Sequence, residues 1–184
     1  APDDALEHAD AIVMGEAEDT WPQLLADFSA GMLKRRYEQK KRPSLAGCFP
    51  DRSIYSDKTY QPIALVETAR GCRFKCEFCS VTQFYNRSHQ QRPVADVVKE
   101  VSELDQRYIF FTDDNIGVNR ERFKELLTAL VPLKISWAAQ VSIDIAKDDD
   151  LLRLMRRSGC VCVLIGFETL NPAVLSQMDK AVNA

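Results

Sequence analysis

From residue 62 onward the chain repeats one pattern four times: a short apolar run, then a stretch whose apolar residues recur every three or four positions. The runs fall at 63–66, 108–111, 135–141 and 161–165. Val94, Val97, Val98, Val101 and Leu104 mark one face of a helix after the first run, and Phe123, Leu126, Leu127 and Leu130 do so after the second. Asp148 is placed to cap a third helix carrying Leu151, Leu154 and Met155, which Gly159 ends. Asn171 and Pro172 open a fourth, as cap and first-turn residue. Strands that alternate with helices in this way lie parallel and are joined by right-handed crossovers. The fold class is therefore α/β. Runs that are apolar throughout are the pattern of strands covered on both faces.

In such sheets ligands bind at the carboxyl ends of the strands, and the polar residues of this chain collect there. Glu67 and Thr68 follow the first run, Asp113, Asp114 and Asn115 the second. Gln140, Ser142 and Asp144 lie toward the end of the third, and Glu168 and Thr169 follow the fourth. Directly after Glu67 and Thr68 comes a loop with Cys72, Cys76 and Cys79 in C-x3-C-x2-C spacing. Three thiolates this close suit one face of an iron–sulfur cluster. A [4Fe–4S] cube held by three cysteines keeps one iron free for a substrate or cofactor. A zinc site wants a fourth ligand, and the nearest histidine, His89, stands ten residues past Cys79 in a polar stretch. A disulfide framework belongs to small secreted chains, and no secretory signal is read here.

The chain of 184 residues is 46% apolar with a formal net charge of -3, which argues against a general nucleic-acid binder. It contains no membrane-spanning run. Six cysteines without a secretory pattern point to a reducing interior, the cytoplasm. Before residue 62 the pattern is different. An apolar run at 11–14 is followed by Thr20 as a candidate cap, by Trp21, Leu24, Leu25 and Phe28 at helical spacing, and by Gly31. One strand and one helix do not bury enough to stand alone, so residues 1–31 read as the tail of a domain. Residues 32–61 read as a linker, with a basic cluster (Lys34, Arg35, Arg36, Lys40, Lys41, Arg42) punctuated by Pro43, Gly47 and Pro50. That cluster is either a solvated connector or a phosphate or RNA contact.

The cysteine spacing, with Phe78 directly before the third cysteine, resembles the signature of the radical S-adenosylmethionine superfamily. The resemblance covers residues 62–184. It implies a partial (β/α) barrel of the TIM-like kind, of which this chain carries the first four β–α units. The segment 10–19, with Gly15-Glu16-Ala17-Glu18, resembles the tail of the Rossmann-like cobalamin-binding domain that precedes some of these barrels. The Asp-x-His-x-x-Gly cobalamin motif is absent from this sequence, which leaves cobalamin to a full-length parent. The resemblance further implies that Cys72, Cys76 and Cys79 ligate a [4Fe–4S] cluster whose fourth iron takes the methionine end of S-adenosylmethionine. Phe78 would lie near the adenine. Asp113, Asp114 and Asn115 would receive the methionine ammonium, and Gln140, Ser142 and Glu168 would contact ribose or carboxylate. Reductive cleavage of S-adenosylmethionine to a 5′-deoxyadenosyl radical would then serve methylation or rearrangement of a small-molecule substrate, with ferredoxin or flavodoxin as reductant. A low-potential cluster also wants an apolar cover, supplied by Phe74, Phe78 and Phe84, with Arg73 and Lys75 pointing outward.

Other readings stand beside this one. A methylthiotransferase is the nearest enzymatic alternative, although residues 1–47 lack the three further cysteines of that group. A non-catalytic iron–sulfur carrier or zinc module would use the same cysteines. Asp113, Asp114 and Asn115 also fit a plain strand-to-helix turn with Asn119 as cap. Cys160 and Cys162 alternate on a strand, share one face, and read as core. Trp137 reads as packing and His89 as a surface loop residue.

Overall fold

The computed structural model describes residues 2–180, and the chain divides into two compact units, 1–44 and 45–184. In the first unit a one-turn helix α1 (Pro2–Ala5) precedes strand β1 (Ile12–Met14), helix α2 (Thr20–Ser29) and strand β2 (Arg36–Glu38). β1 and β2 pair in parallel, Val13 opposite Tyr37, so the unit is a small β–α–β turn. The expected linker is thus partly strand. Tyr37 is the reason: its ring is buried, and its hydroxyl donates to Asp27 Oδ2 at 2.9 Å while accepting the Lys34 amide at 3.1 Å. Thr20 does not cap α2. Its hydroxyl donates back to the Glu16 carbonyl at 3.3 Å.

The second unit opens with residues that also belong to no free linker. The Gly47 amide donates to Asp96 at 2.8 Å, and Arg52 reaches the Leu65 carbonyl at 2.7 Å and Glu100 at 2.6 Å. Strand β3 (Ile63–Val66) follows, then a two-residue strand β4 (Ala69–Arg70), helix α3 (Ser80–Phe84), strand β5 (Gln90–Gln91) and helix α4 (Val94–Ser102). Strand β6 (Tyr108–Phe111) leads to helix α5 (Arg120–Leu130), strand β7 (Ser136–Val141) to helix α6 (Asp149–Arg157), and strand β8 (Cys160–Ile165) to helix α7 (Pro172–Gln177). Asn119, Asp148 and Asn171 each cap their helix through a side-chain oxygen, as their types dictate. Gly159, at φ +98, lies so close to the Ile135 carbonyl that a Cβ would meet it at 1.9 Å, which fixes glycine at the turn into β8.

The sheet order is β3-β6-β7-β8, all parallel and all in sequence order. With right-handed crossovers that order sends every helix to the same face, the winding of a barrel wall. Trp137, wholly buried, packs edge-on to Phe111 and Phe123 at centroid separations of 5.8 and 6.2 Å, among Val97, Val101, Leu127 and Leu151. Removing such a ring costs about 3–5 kcal/mol. Among the described residues, no helix covers the opposite face. Ile63, Leu65 and Tyr108 are exposed, and together with Phe110, Ala138 and Val161 they line an apolar groove of about 540 Å³. The expectation of two covered faces is corrected accordingly: the strands are apolar on both sides, one side meeting helices and the other forming the concave wall.

A second correction concerns β8. Trp137 pairs with Cys160 but Ala138 with Cys162, so Val161 is an extra, bulged residue. The bulge breaks the alternation that would have put both cysteines on one face. Cys160 packs against the core, and Cys162 is exposed.

Candidate active site at the carboxyl rim

β3 ends at Val66, and the next two residues are clasped from several sides. Thr68, fully buried, gives its amide to Asp113 at 2.7 Å and its hydroxyl to the same carboxylate at 2.6 Å. Its carbonyl accepts the Arg92 amide at 2.9 Å and Arg122 Nη2 at 3.2 Å. Arg92 is itself buried, donating to the Glu67 carbonyl and pairing with Glu100, both at 2.7 Å. Removing either partner of a buried charge pair leaves the other charge buried and uncompensated, which is strongly destabilising. β4 and β5 then close the stem, Ala69 opposite Gln91 and Arg70 opposite Gln90. The cysteines lie in the loop between.

Cys72 and Cys76 are buried, and Cys79 is half-buried at the start of α3. All three line one cavity of about 150 Å³. Phe78 lines it too, with Asp114 and Asn115 from the end of β6, Gln140 of β7, Ser142 just after it, and Glu168 beyond β8. Five polar residues from the ends of three successive strands, β6, β7 and β8, thus meet the cysteine loop at one place. Asn115 donates to Ser142 Oγ at 3.1 Å and accepts the Gly117 amide at 3.2 Å, and Ser142 donates to Asp144, which Arg120 holds at 2.6 Å. These polar groups are fixed before any ligand arrives.

Asp113 is the exception among the rim residues. It is buried behind the rim, and both oxygens go to Thr68. Burial pushes its carboxyl up to about 6, against the pull of the Thr68 hydrogen bonds. It is part of the scaffold. Phe74 lines the cavity as expected, but Phe84 is exposed and stacks edge-on to Tyr85 at 4.9 Å. Arg73 and Lys75 are exposed, Arg73 donating to the Val118 carbonyl at 2.8 Å.

Sequence reasoning missed Lys180. It lies after α7, pairs with Glu168 at 2.6 Å and stands 5.4 Å from the centre of the Phe78 ring. Glu168 takes a left-handed backbone, φ +59, to meet it. Gly166 leaves them room, since a Cβ there would come within 2.7 Å of Glu168 Oε1. Nothing in the local pattern distinguishes this lysine from a solvated one, and the same holds for Arg92 and Arg122.

Burial raises the thiols of Cys72 and Cys76, with Lys180 opposing the shift at Cys76. They are neutral thiols until a metal displaces the protons. Among the described residues, no three ligating side chains already surround a metal-sized point, so the loop offers a shared cavity that a ligand would draw together. The cavity holds three thiols with no histidine and no fourth cysteine. That donor set suits a cluster with one open iron better than a closed zinc site.

The chain is also similar to known proteins. The chain is 30% identical over 98% of its length to bacteriochlorophyllide d C-12(1)-methyltransferase of Chlorobaculum tepidum, covering 42% of that protein. It is 26% identical to an anaerobic magnesium-protoporphyrin IX monomethyl ester cyclase of Cereibacter sphaeroides, with 93% of this chain and 33% of that one covered. The chain thus spans less than half the length of these relatives. Among solved structures, the radical S-adenosylmethionine methyltransferase TsrM of Kitasatospora setae, with cobalamin and a [4Fe–4S] cluster bound, superposes with a TM-score of 0.58 at 21% identity, over 62% of this chain and 24% of that one. The profile of the Radical SAM superfamily matches residues 66–183, and the chain belongs to that superfamily.

Proposed function

We propose that this chain is the core of an enzyme that cleaves S-adenosylmethionine reductively at a [4Fe–4S] cluster and turns the product on an unactivated carbon, by methylation or rearrangement. The observation that carries the reading is the single cavity shared by Cys72, Cys76, Cys79 and the rim of the parallel sheet. The three cysteines would hold the cluster. When bound, it supplies the one-electron reduction of the sulfonium. Asp114 and Asn115 would receive the methionine ammonium, Gln140, Ser142 and Glu168 would contact ribose or carboxylate, and Phe78 would lie near the adenine. Burial of Cys72 and Cys76 keeps water from the thiolates, and Lys180 neutralises Glu168 beside them.

The names of the relatives favour a tetrapyrrole as the first substrate class to try, since one methylates a bacteriochlorophyllide and another cyclises a magnesium-protoporphyrin ester. The parallel β1–α2–β2 turn is consistent with the tail of a cobalamin-binding domain, and cobalamin is proposed for a longer parent. A ferredoxin or flavodoxin is the proposed reductant and the cytoplasm the proposed location. No helix of the described residues is long and apolar enough to cross a membrane.

Anaerobic reconstitution with iron and sulfide, dithionite reduction and EPR with and without S-adenosylmethionine test the reading. A [4Fe–4S]+ signal that shifts on adding S-adenosylmethionine, with 5′-deoxyadenosine formed, is expected. A cluster signal indifferent to S-adenosylmethionine makes the chain a carrier, and stoichiometric zinc without cluster overturns the assignment.

A further inference from the structure

Two consecutive carboxylates leave the end of β6, and they do different things. Asp113 is spent on Thr68. Asp114 accepts the amide of Gly71 through Oδ2 at 2.9 Å, one residue before Cys72. That amide lies beyond the β4–β5 pairs, which end at Arg70 opposite Gln90. Gly71 is pressed against the returning limb of the loop: at φ +80, a Cβ on it would meet the Ser88 carbonyl at 2.3 Å and Tyr85 at 3.0 Å. The backbone at the loop entry is therefore confined on one side by packing and held on the other by a single carboxylate. Asp114 also lines the cavity that the cysteines line.

We propose that Asp114 is the positioning residue for Cys72. By holding the Gly71 amide it fixes the point from which Cys72 enters the cavity, and so ties the cysteine loop after β3 to the neighbouring strand β6. This rests on the cluster site proposed above. A charge-assisted bond to a backbone amide is among the stronger hydrogen bonds, and side chains that orient a metal ligand typically change affinity by 10–100-fold when removed. Asp114 is also among the residues lining the cavity, so one side chain borders both the loop and whatever occupies the cavity.

The test uses the full chain and three proteins: wild type, Asp114→Ala and Asp114→Asn. Asparagine keeps an oxygen that accepts the amide, and alanine does not. In the metal-free protein, hydrogen exchange at Gly71 should be about tenfold faster in Asp114→Ala and much closer to wild type in Asp114→Asn, which keeps the bond without its charge. After reconstitution, Asp114→Ala should lose iron to a chelator at least about tenfold faster than wild type, with Asp114→Asn restoring the slow rate. Asp114→Ala with wild-type exchange and wild-type iron loss overturns the proposal. So does Asp114→Asn that exchanges quickly at Gly71, and this second outcome decides the matter even if the alanine variant does not fold. If wild type takes up no cluster, the functional reading fails while the exchange comparison still judges the latch.

Discussion

The chain has two cysteine groups on one sheet, and they differ in almost every physical respect. Cys72, Cys76 and Cys79 sit in a loop beyond a strand end, where backbone direction changes fast enough to aim three sulfurs into one cavity. Cys160 and Cys162 sit within β8, where direction is set by pleat, and a bulge sends one into the core and leaves the other exposed. Spacing in the sequence is not proximity of sulfurs in space. A loop with a positive-φ glycine at its entry can gather its ligands, while a strand sends them to fixed faces.

The largest effect expected from this contrast is in iron binding. Cys76→Ala should abolish cluster assembly, whereas Cys160→Ala should leave iron and sulfide content at the wild-type value. Iron analysis after reconstitution checks both, and unchanged iron in Cys76→Ala removes the loop from consideration. Alkylation separates the groups next. Burial pushes the Cys160 thiol up to about 11 from an ordinary 9.0. At pH 8 its thiolate fraction, and so its alkylation rate, should be on the order of 100-fold below that of an ordinary thiol. Exposed Cys162 should label first in a timed iodoacetamide series read by peptide mass.

A smaller effect separates the groups by pH. His89 closes the cysteine loop, and burial with Arg73 and Arg122 nearby holds its ring down to about 4 from an ordinary 6.5. The folded chain prefers the neutral ring. The stability this gives is complete above pH 6.5 and is lost as pH falls through 6.5 toward 4. Allowing for solvent screening, about 1–2 kcal/mol should disappear across that window, and His89→Gln should flatten the slope in denaturant titrations. The smallest change expected is Cys160→Ser, which puts a hydroxyl against the core and should cost about 1 kcal/mol with no change in iron.

Much of this architecture was legible because its boundaries are written in single residues. Asn119, Asp148 and Asn171 act as caps where their types predict, and Gly159 turns the chain into β8 at the expected place. The cysteine loop and its rim were legible for a similar reason: topology sends every strand end to the same side. What was not legible depends on partners distant in sequence. Ile63 and Leu65 read as buried because apolar strands look alike whether one face is covered or two. Nothing local in the sequence marks Arg92 as buried, since its partners, the Glu67 carbonyl and Glu100, are set by the fold. Asp113 and Asp114 are neighbours of one type, and only Thr68 on one side and Gly71 on the other divide scaffold from cavity.

The bulge at Val161 works as a phase reset. Past it, Val163 and Ile165 turn to the helices, and Leu164 joins Gln140 on the concave wall. The residues of this strand from Val161 to Ile165 are all greasy, so a one-residue insertion or deletion would hardly trouble the core's oil-and-water balance. At the strand's exit the same slip would rotate Gly166 out of its niche and carry Glu168 away from Lys180. The strand forgives a frame error in its middle and enforces the frame only where it meets the chemistry.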